Sequence, residues 1–124
     1  MNKATIIGLT LAAALALGVY VVIQNVVFGD RDLQRLRKQI DNTISTKATD
    51  VSQCALMPLG AKPCGGPWEY LVYSKQSTDE GFLIELTSEY YTLDERLNAD
   101  KTSDCLPAQK PSVTLNDGEC IASQ

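Results

Sequence analysis

Histidine is absent from this chain of 124 residues. The serine–histidine and cysteine–histidine arrangements of nucleophilic catalysis are therefore excluded, and so are histidine metal ligands. Candidate general acids and bases are then the carboxylates of one predicted helical segment: Glu80, Glu85, Glu89, Asp94 and Glu95. Because acidic side chains on such a helix normally form its solvated face, we predict no catalytic residue, no cofactor and no enzymatic activity.

The four cysteines form the second group of chemically active side chains: Cys54, Cys64, Cys105 and Cys120. An even number of cysteines in a small domain, without a C-x-x-C pair, is typical of disulfides formed in an oxidising compartment. A zinc site normally needs closely spaced pairs of ligands, so we predict no metal. Three pairings are possible. Proximity along the chain favours Cys54–Cys64 with Cys105–Cys120, and a bridge between the two halves is the alternative.

Residues 64–68 (CGGPW) are the third candidate. Two glycines before a helix start would offer backbone amides to an anion, although a tight turn beside a disulfide is the favoured interpretation. Aromatic residues are enriched in binding surfaces, and half-buried core positions are the alternative for them. The candidate interaction surface consists of Gly65, Gly66, Trp68, Tyr70 and Tyr73.

The elements around these residues are predicted from local patterns. Residues 77–80 (STDE) have the form of a capping box in which Ser77 begins a helix. Apolar residues then follow the helical period: Phe82, Leu83, Leu86, Tyr90, Leu93 and Leu97. Residues 67–73 predict a helix that begins at Pro67, with a strand as the alternative. Residues 112–121 predict a β-hairpin around an Asp-Gly turn.

The amino-terminal segment contains no charged side chain from residue 4 to residue 29. Residues 6–28 are long enough, at about 1.5 Å per helical residue, to cross a bilayer core of about 30 Å. We predict a transmembrane anchor. A cleaved signal peptide is the alternative, because residues 14–16 (ALA) resemble a cleavage site and cutting there would leave Leu17 first.

An amphipathic helix is predicted to follow the anchor. Its apolar stripe consists of Leu33, Leu36, Ile40 and Ile44, and it is too short to establish a coiled coil. Packing of this stripe on the distal domain is favoured. The predicted organisation is an anchor (residues 1–29), an amphipathic stalk with a polar linker (30–50) and a small disulfide-bonded domain (51–124). The fold class is mainly α with a small β-hairpin.

Charge is unevenly distributed along the chain. Residues 41–124 hold 6 basic and 13 acidic side chains, a net charge of −7, which disfavours a nucleic-acid partner. The basic residues Arg31, Arg35, Arg37 and Lys38 follow the predicted anchor and suit anionic lipid headgroups or a solvated helix face. By the positive-inside rule they place the domain in the cytoplasm. The cysteines indicate the opposite, and we give them more weight: the expected location is the periplasm or cell surface.

A resemblance is carried by residues 54–74, which fit the pattern C-x3-P-x-G-x3-C-G-G-P-x2-Y-L-x-Y-S. This segment resembles one found in small bacterial envelope and exported proteins of unknown function, and residues 103–105 (SDC) and 118–120 (GEC) are similar to the rest of that pattern. The resemblance covers residues 54–120. It implies an exported, disulfide-bonded domain and brings no catalytic residue, whereas the long anchor departs from the cleaved signal of that group.

Three functions are compatible with these observations. The favoured one is a non-enzymatic, membrane-anchored envelope protein that presents an acidic domain to a protein or glycan partner. A second is a pilin-like or pseudopilin-like subunit that self-associates, although residues 9–13 (LTLAA) place alanine where pilins carry glutamate. A third is a secreted inhibitor of a cell-wall hydrolase, for which no reactive loop is evident.

Overall fold

A computed structural model describes the backbone of residues 3–123 and the side chains of residues 13–24 and 29–123. Its helices are α1 (Lys3–Thr43) and α2 (Glu80–Asn98), with one 3₁₀ turn at Val51–Gln53. Its strands are β1 (Cys54–Leu59), β2 (Glu69–Ser74), β3 (Ser112–Asn116) and β4 (Glu119–Ser123). The chain divides into two compact units, Met1–Asp32 and Leu33–Gln124. The fold is a long amino-terminal helix with a small mixed α/β domain that contains two hairpins.

The first unit consists of the apolar part of α1. Seven large apolar side chains there are each more than half exposed: Leu15, Leu17, Val19, Tyr20, Val21, Val22 and Ile23. Among the described residues, this helix is long and apolar enough to cross a membrane, a test that a signal sequence also passes. Of the predicted anchor, residues 6–28, the side chains of 6–12 and 25–28 lie outside those described.

The second unit includes the last turns of α1. Leu36 and Ile40 are buried there in a hydrophobic cluster that also contains Leu59 and Leu83. Half-buried Ile44 packs against this cluster. These positions lie four residues apart, so one face of the end of α1, continued by Ile44, packs against the core. The predicted packing on the domain is confirmed for these three residues, whereas Leu33, the first residue of the predicted stripe, is half-buried and does not belong to the cluster.

The first hairpin pairs β1 with β2 in antiparallel register, from Cys54 opposite Ser74 to Leu59 opposite Glu69. Leu71 and Tyr73 are buried in the core, and the residue between them is only half-buried, as the period of two in a strand requires. The helix predicted for residues 67–73 is therefore wrong. Its aromatic and β-branched side chains suit the strand that was the alternative, because β1 supplies the backbone partners.

The second hairpin pairs β3 with β4 and confirms the prediction for residues 112–121. Its turn residues Asp117 and Gly118 have φ of 49° and 79°, the left-handed conformation that a two-residue hairpin turn needs. Residues 45–50, at the end of the segment predicted as stalk and linker, are hydrogen-bonded to both hairpins. Ser74 N donates to Ser45 O at 2.8 Å, and Cys120 N donates to Thr46 O at 2.7 Å.

The N-cap of α2 lies two residues after the predicted cap, Ser77. Asp79 is the N-cap, and its Oδ1 accepts from Phe82 N at 3.0 Å. The capping box with Ser77 is wrong because the Ser77 hydroxyl donates to Lys47 O instead. Leu83 and Leu86 are buried as predicted, whereas Phe82 is exposed.

Two disulfides join distant parts of the chain, Cys54–Cys120 and Cys64–Cys105. The favoured local pairing is therefore wrong, and the alternative between the halves is confirmed. The hairpins pack against each other around Cys54 and Cys120, both buried with Ala48, whereas Cys64 and Cys105 are exposed. Sequence separations of 66 and 41 correspond to about 4 kcal/mol each in the chain-entropy account, more than short local loops would provide.

Candidate interaction cleft

Asp94 is a buried carboxylate, 6% exposed, on the inner face of α2. Its Oδ2 accepts from Ala61 N and from Trp68 Nε1, both at 2.7 Å. Its Oδ1 accepts from Asn98 Nδ2 at 2.8 Å, and that same amide nitrogen donates to Ala61 O at 3.1 Å. Three of these bonds connect α2 to the loop between β1 and β2, which we call the tryptophan loop (residues 60–68), and the bond from Asn98 to Asp94 lies within α2.

Gly60 allows the tryptophan ring to lie close to the backbone. Its φ is +83°, and a Cβ built on it would lie 2.3 Å from Trp68 Cδ1 and 3.0 Å from Asp94 Oδ2. Any other residue would therefore face both an unfavourable backbone conformation and a collision with the ring. Trp68 N also donates to Leu59 O at 2.8 Å, which closes the loop at its base.

A second irregular segment, residues 99–111, is attached to the tryptophan loop. The Cys64–Cys105 disulfide joins the two. Lys62 Nζ lies 3.4 Å from Asp104 Oδ1, donates to Leu106 O, and lies 5.3 Å from the centroid of the Trp68 ring. The Leu106 backbone amide and then Lys62 hold the pKa of Asp104 below its ordinary value. The attached segment is thereby held beside the ring.

These attachments form an open cleft of about 730 Å³, which we call the tryptophan cleft. Trp68 and half-buried Tyr70 lie on one side, and residues 108–111 lie on another. Ser112 and Ser123 line it at the end of the second hairpin, where their hydroxyl oxygens are 2.8 Å apart. A volume in this range suits a small ligand or a short segment of a polymer.

Only part of the predicted interaction surface lines this cleft. Trp68 and Tyr70 do, whereas Tyr73 is 3% exposed and belongs to the core. Gly65 and Gly66 lie in an exposed turn with φ of 94° and 84°. The Gly65 amide already donates to Lys62 O at 2.8 Å, and a strand follows instead of a helix, so the basis for an anion site is absent.

The hydroxyl of Tyr73 is committed to a core contact. It donates to Glu80 Oε1, and burial, followed by that contact, raises the pKa of Tyr73 to about 12. On the surface, Arg37 pairs with Glu69 and with Asp41, the latter at 3.0 Å. Arg37 thus ties the last turns of α1 to the start of β2, beside the cleft.

The carboxylates of α2 are distributed along the whole helix. Glu85, Glu89 and Glu95 are exposed. Glu80 and Asp94 are fourteen residues apart on one helix, about 21 Å along its axis, so they cannot act on one reacting group. Within the described part of the chain, no three acidic or cysteine side chains are grouped as a metal site.

Sequence reasoning missed the role of Asp94, which it placed on a solvated face. A signal was present, because Asp94 and Asn98 continue the helical spacing of the buried residues Leu83 and Thr87. A polar pair at core positions indicates a buried hydrogen-bond network. No comparable signal marks residues 108–111 as a cleft wall, since only tertiary contacts bring them to Trp68.

No protein-family model matches the chain, and no curated protein or solved structure matches it either.

Proposed function

We propose that the protein is a non-enzymatic, membrane-anchored envelope protein whose Leu33–Gln124 unit lies outside the cytoplasm and binds a partner. The observation that carries this proposal is the first part of α1. Its large apolar side chains from Leu15 to Ile23 are exposed, and only 7% of the apolar window is buried. Such a surface is unfavourable in water and favourable in a bilayer.

The extracytoplasmic location is supported by the cysteines. All four are in disulfides, and both bridges join segments far apart in the sequence. Such bridges form and persist in oxidising compartments. Arg37, one of the basic residues after the span, is paired within the fold to Glu69 and Asp41.

A binding role, in place of catalysis, is supported by how the polar groups are used. Asp94 is occupied by three donors, and Glu80 is occupied by the Tyr73 hydroxyl. The tryptophan cleft, in contrast, is open and carries an aromatic ring whose position is set by the fold. The partner class is a protein or a glycan of the envelope.

The test is a fractionation of cells that express the full chain with a carboxy-terminal tag. We expect the chain in a carbonate-resistant membrane pellet, with its original amino terminus, no free thiols and a tag cleavable by external protease. A Val19→Arg change should release it, because a charge at mid-span costs about 3 kcal/mol. The matched change Leu106→Arg, at an exposed position of the second unit, should not.

Two other results would overturn the proposal. A soluble chain that begins at Leu17 would establish a cleaved signal. Four free thiols under trapping conditions, with a protected tag, would place the domain in the cytoplasm.

A second candidate, a pilin-like filament subunit, is favoured by one observation: α1 contributes its apolar part to the first unit and Leu36 and Ile40 to the core of the second. This candidate predicts large homo-oligomers after mild cross-linking of membranes. The anchored monomer predicts none.

A further inference from the structure

The side chains that line the tryptophan cleft define the kind of ligand it suits. Its neutral polar groups are the Gln109 amide and the Ser112 and Ser123 hydroxyls, all of which can form hydrogen bonds. Its charged residues are Glu69 and Lys110. Its apolar surface comes from aromatic rings, alanine and proline. Of the described residues that line it, none is leucine, isoleucine, valine or methionine, so a hydrophobic anchor residue or an acyl chain finds no matching surface.

Charge further narrows the class of ligand. Glu69 is already paired with Arg37, and the domain from residue 41 onward carries a net charge of −7. An anionic ligand would approach against this field, with Lys110 as the one cationic side chain among the described residues that line the cleft. A neutral ligand rich in hydroxyl and amide groups meets no such opposition.

The Trp68 ring is held in one position and is partly exposed, which suits stacking against a flat ligand surface. Its Nε1 is held by Asp94 at 2.7 Å and its edge lies over Gly60, yet the residue is still 42% exposed. Lys62 Nζ lies 5.3 Å from the centroid of the ring, and Lys62 is not among the described residues that line the cleft. Because the ring is already ordered, a ligand stacking on it loses little side-chain entropy.

We propose that the tryptophan cleft binds a neutral oligosaccharide. One sugar ring stacks its C–H face on Trp68, and hydroxyl or acetamido groups exchange hydrogen bonds with Gln109, Ser112 and Ser123. This inference deepens the proposed function and rests on it, since an anchored extracytoplasmic domain is exposed to envelope glycans.

The experiment uses the full chain in micelles of a zwitterionic, sugar-free detergent, because a maltoside detergent would compete. Trp68 is the only tryptophan in the chain, so its fluorescence reports on the cleft without further labelling. The probes are triacetylchitotriose, maltotriose and a proline decamer, each checked by calorimetry. We expect a saturable change in Trp68 emission with at least one of the two sugars and none with the decamer.

Matched variants locate the binding site. Gln109→Ala should weaken sugar binding by about fivefold to tenfold, the loss of roughly one hydrogen bond, whereas the exposed Gln39→Ala on α1 should leave it unchanged. Tyr70→Ala should also weaken binding, with Tyr91→Ala, an exposed tyrosine on α2, as its control. Unaltered circular dichroism in each variant separates lost binding from lost folding.

The outcomes are distinct from those of the fractionation experiment. Absence of saturable binding to both sugars overturns the inference, and so does binding that Gln109→Ala and Gln39→Ala affect equally. A response to the proline decamer alone assigns the cleft to an extended peptide instead. If the chain binds a sugar but fractionates as soluble, the proposed sugar site is supported and the proposed membrane anchor is contradicted.

Discussion

Replacement of Asp94 by alanine is the most informative perturbation of the domain. It removes the acceptor for three donors, Ala61 N, Asn98 Nδ2 and Trp68 Nε1. The Ala61 amide is left buried without a partner, at a cost of about 1–3 kcal/mol. Asn98 keeps its bond to Ala61 O and Trp68 can reach water, so each of those losses costs about 1 kcal/mol.

The expected decrease in the free energy of unfolding for Asp94→Ala is therefore about 3–5 kcal/mol. Asp94→Asn retains one carbonyl oxygen for Ala61 and Trp68, so it should lose about 1–2 kcal/mol. The matched control is Glu89→Ala, an exposed carboxylate on the same helix, which should change stability by no more than about 0.5 kcal/mol.

The assay is urea unfolding of the full chain in zwitterionic micelles, followed by circular dichroism and by the emission of Trp68. In the native baseline, Asp94→Ala should also shift Trp68 emission to the red, because the ring loses its fixed partner. If Asp94→Ala and Glu89→Ala destabilise the protein equally, or if the native emission of Trp68 is the same in both variants, the Asp94 carboxylate does not hold the ring.

Three further predictions test other parts of the fold. In urea unfolding, Ile40→Ala should lower the free energy of unfolding by about 2–5 kcal/mol, and the exposed Leu106→Ala should lower it by less than about 0.5 kcal/mol. Equal effects would contradict the packing of α1 in the core. The fold raises the pKa of Tyr73 from 10 to about 12. The stability that the protonated hydroxyl contributes to the folded domain is therefore fully present below pH 10 and is lost as pH rises through about 12. Tyr73→Phe should therefore unfold with less pH dependence between pH 10 and 12, and an unchanged slope would contradict this. Gly60→Ala should destabilise by more than about 1 kcal/mol and shift Trp68 emission, whereas a native spectrum would show that the ring does not need the glycine.

The elements that were predicted correctly have signals within a few neighbouring residues. The hairpin of β3 and β4 follows from its Asp-Gly turn, whose positive φ values only a few residue types tolerate. The end of α1 follows from Leu36 and Ile40, which the helical period places on one face.

The predictions that were wrong concern groups for which a local and a distant hydrogen-bond partner compete. Residues 67–73 have side chains suited to either a helix or a strand, and β1 decided for the strand by offering its backbone groups. Ser77 has a side chain that could cap a helix, but its hydroxyl donates to Lys47 O instead. Asp79 is the N-cap of α2. In each case a contact from a distant segment outweighed a local preference.

Local sequence is enough to predict the apolar segment at the amino terminus, the helix stripe that follows it and the second hairpin, because each depends on side chains a few positions apart. Tertiary contacts are needed to pair Cys54 with Cys120, to bury Asp94 and to bring residues 108–111 beside Trp68 in one cleft. Those pairings span tens of residues. They are set by how the whole domain buries its apolar surface, a quantity that no short window of sequence contains.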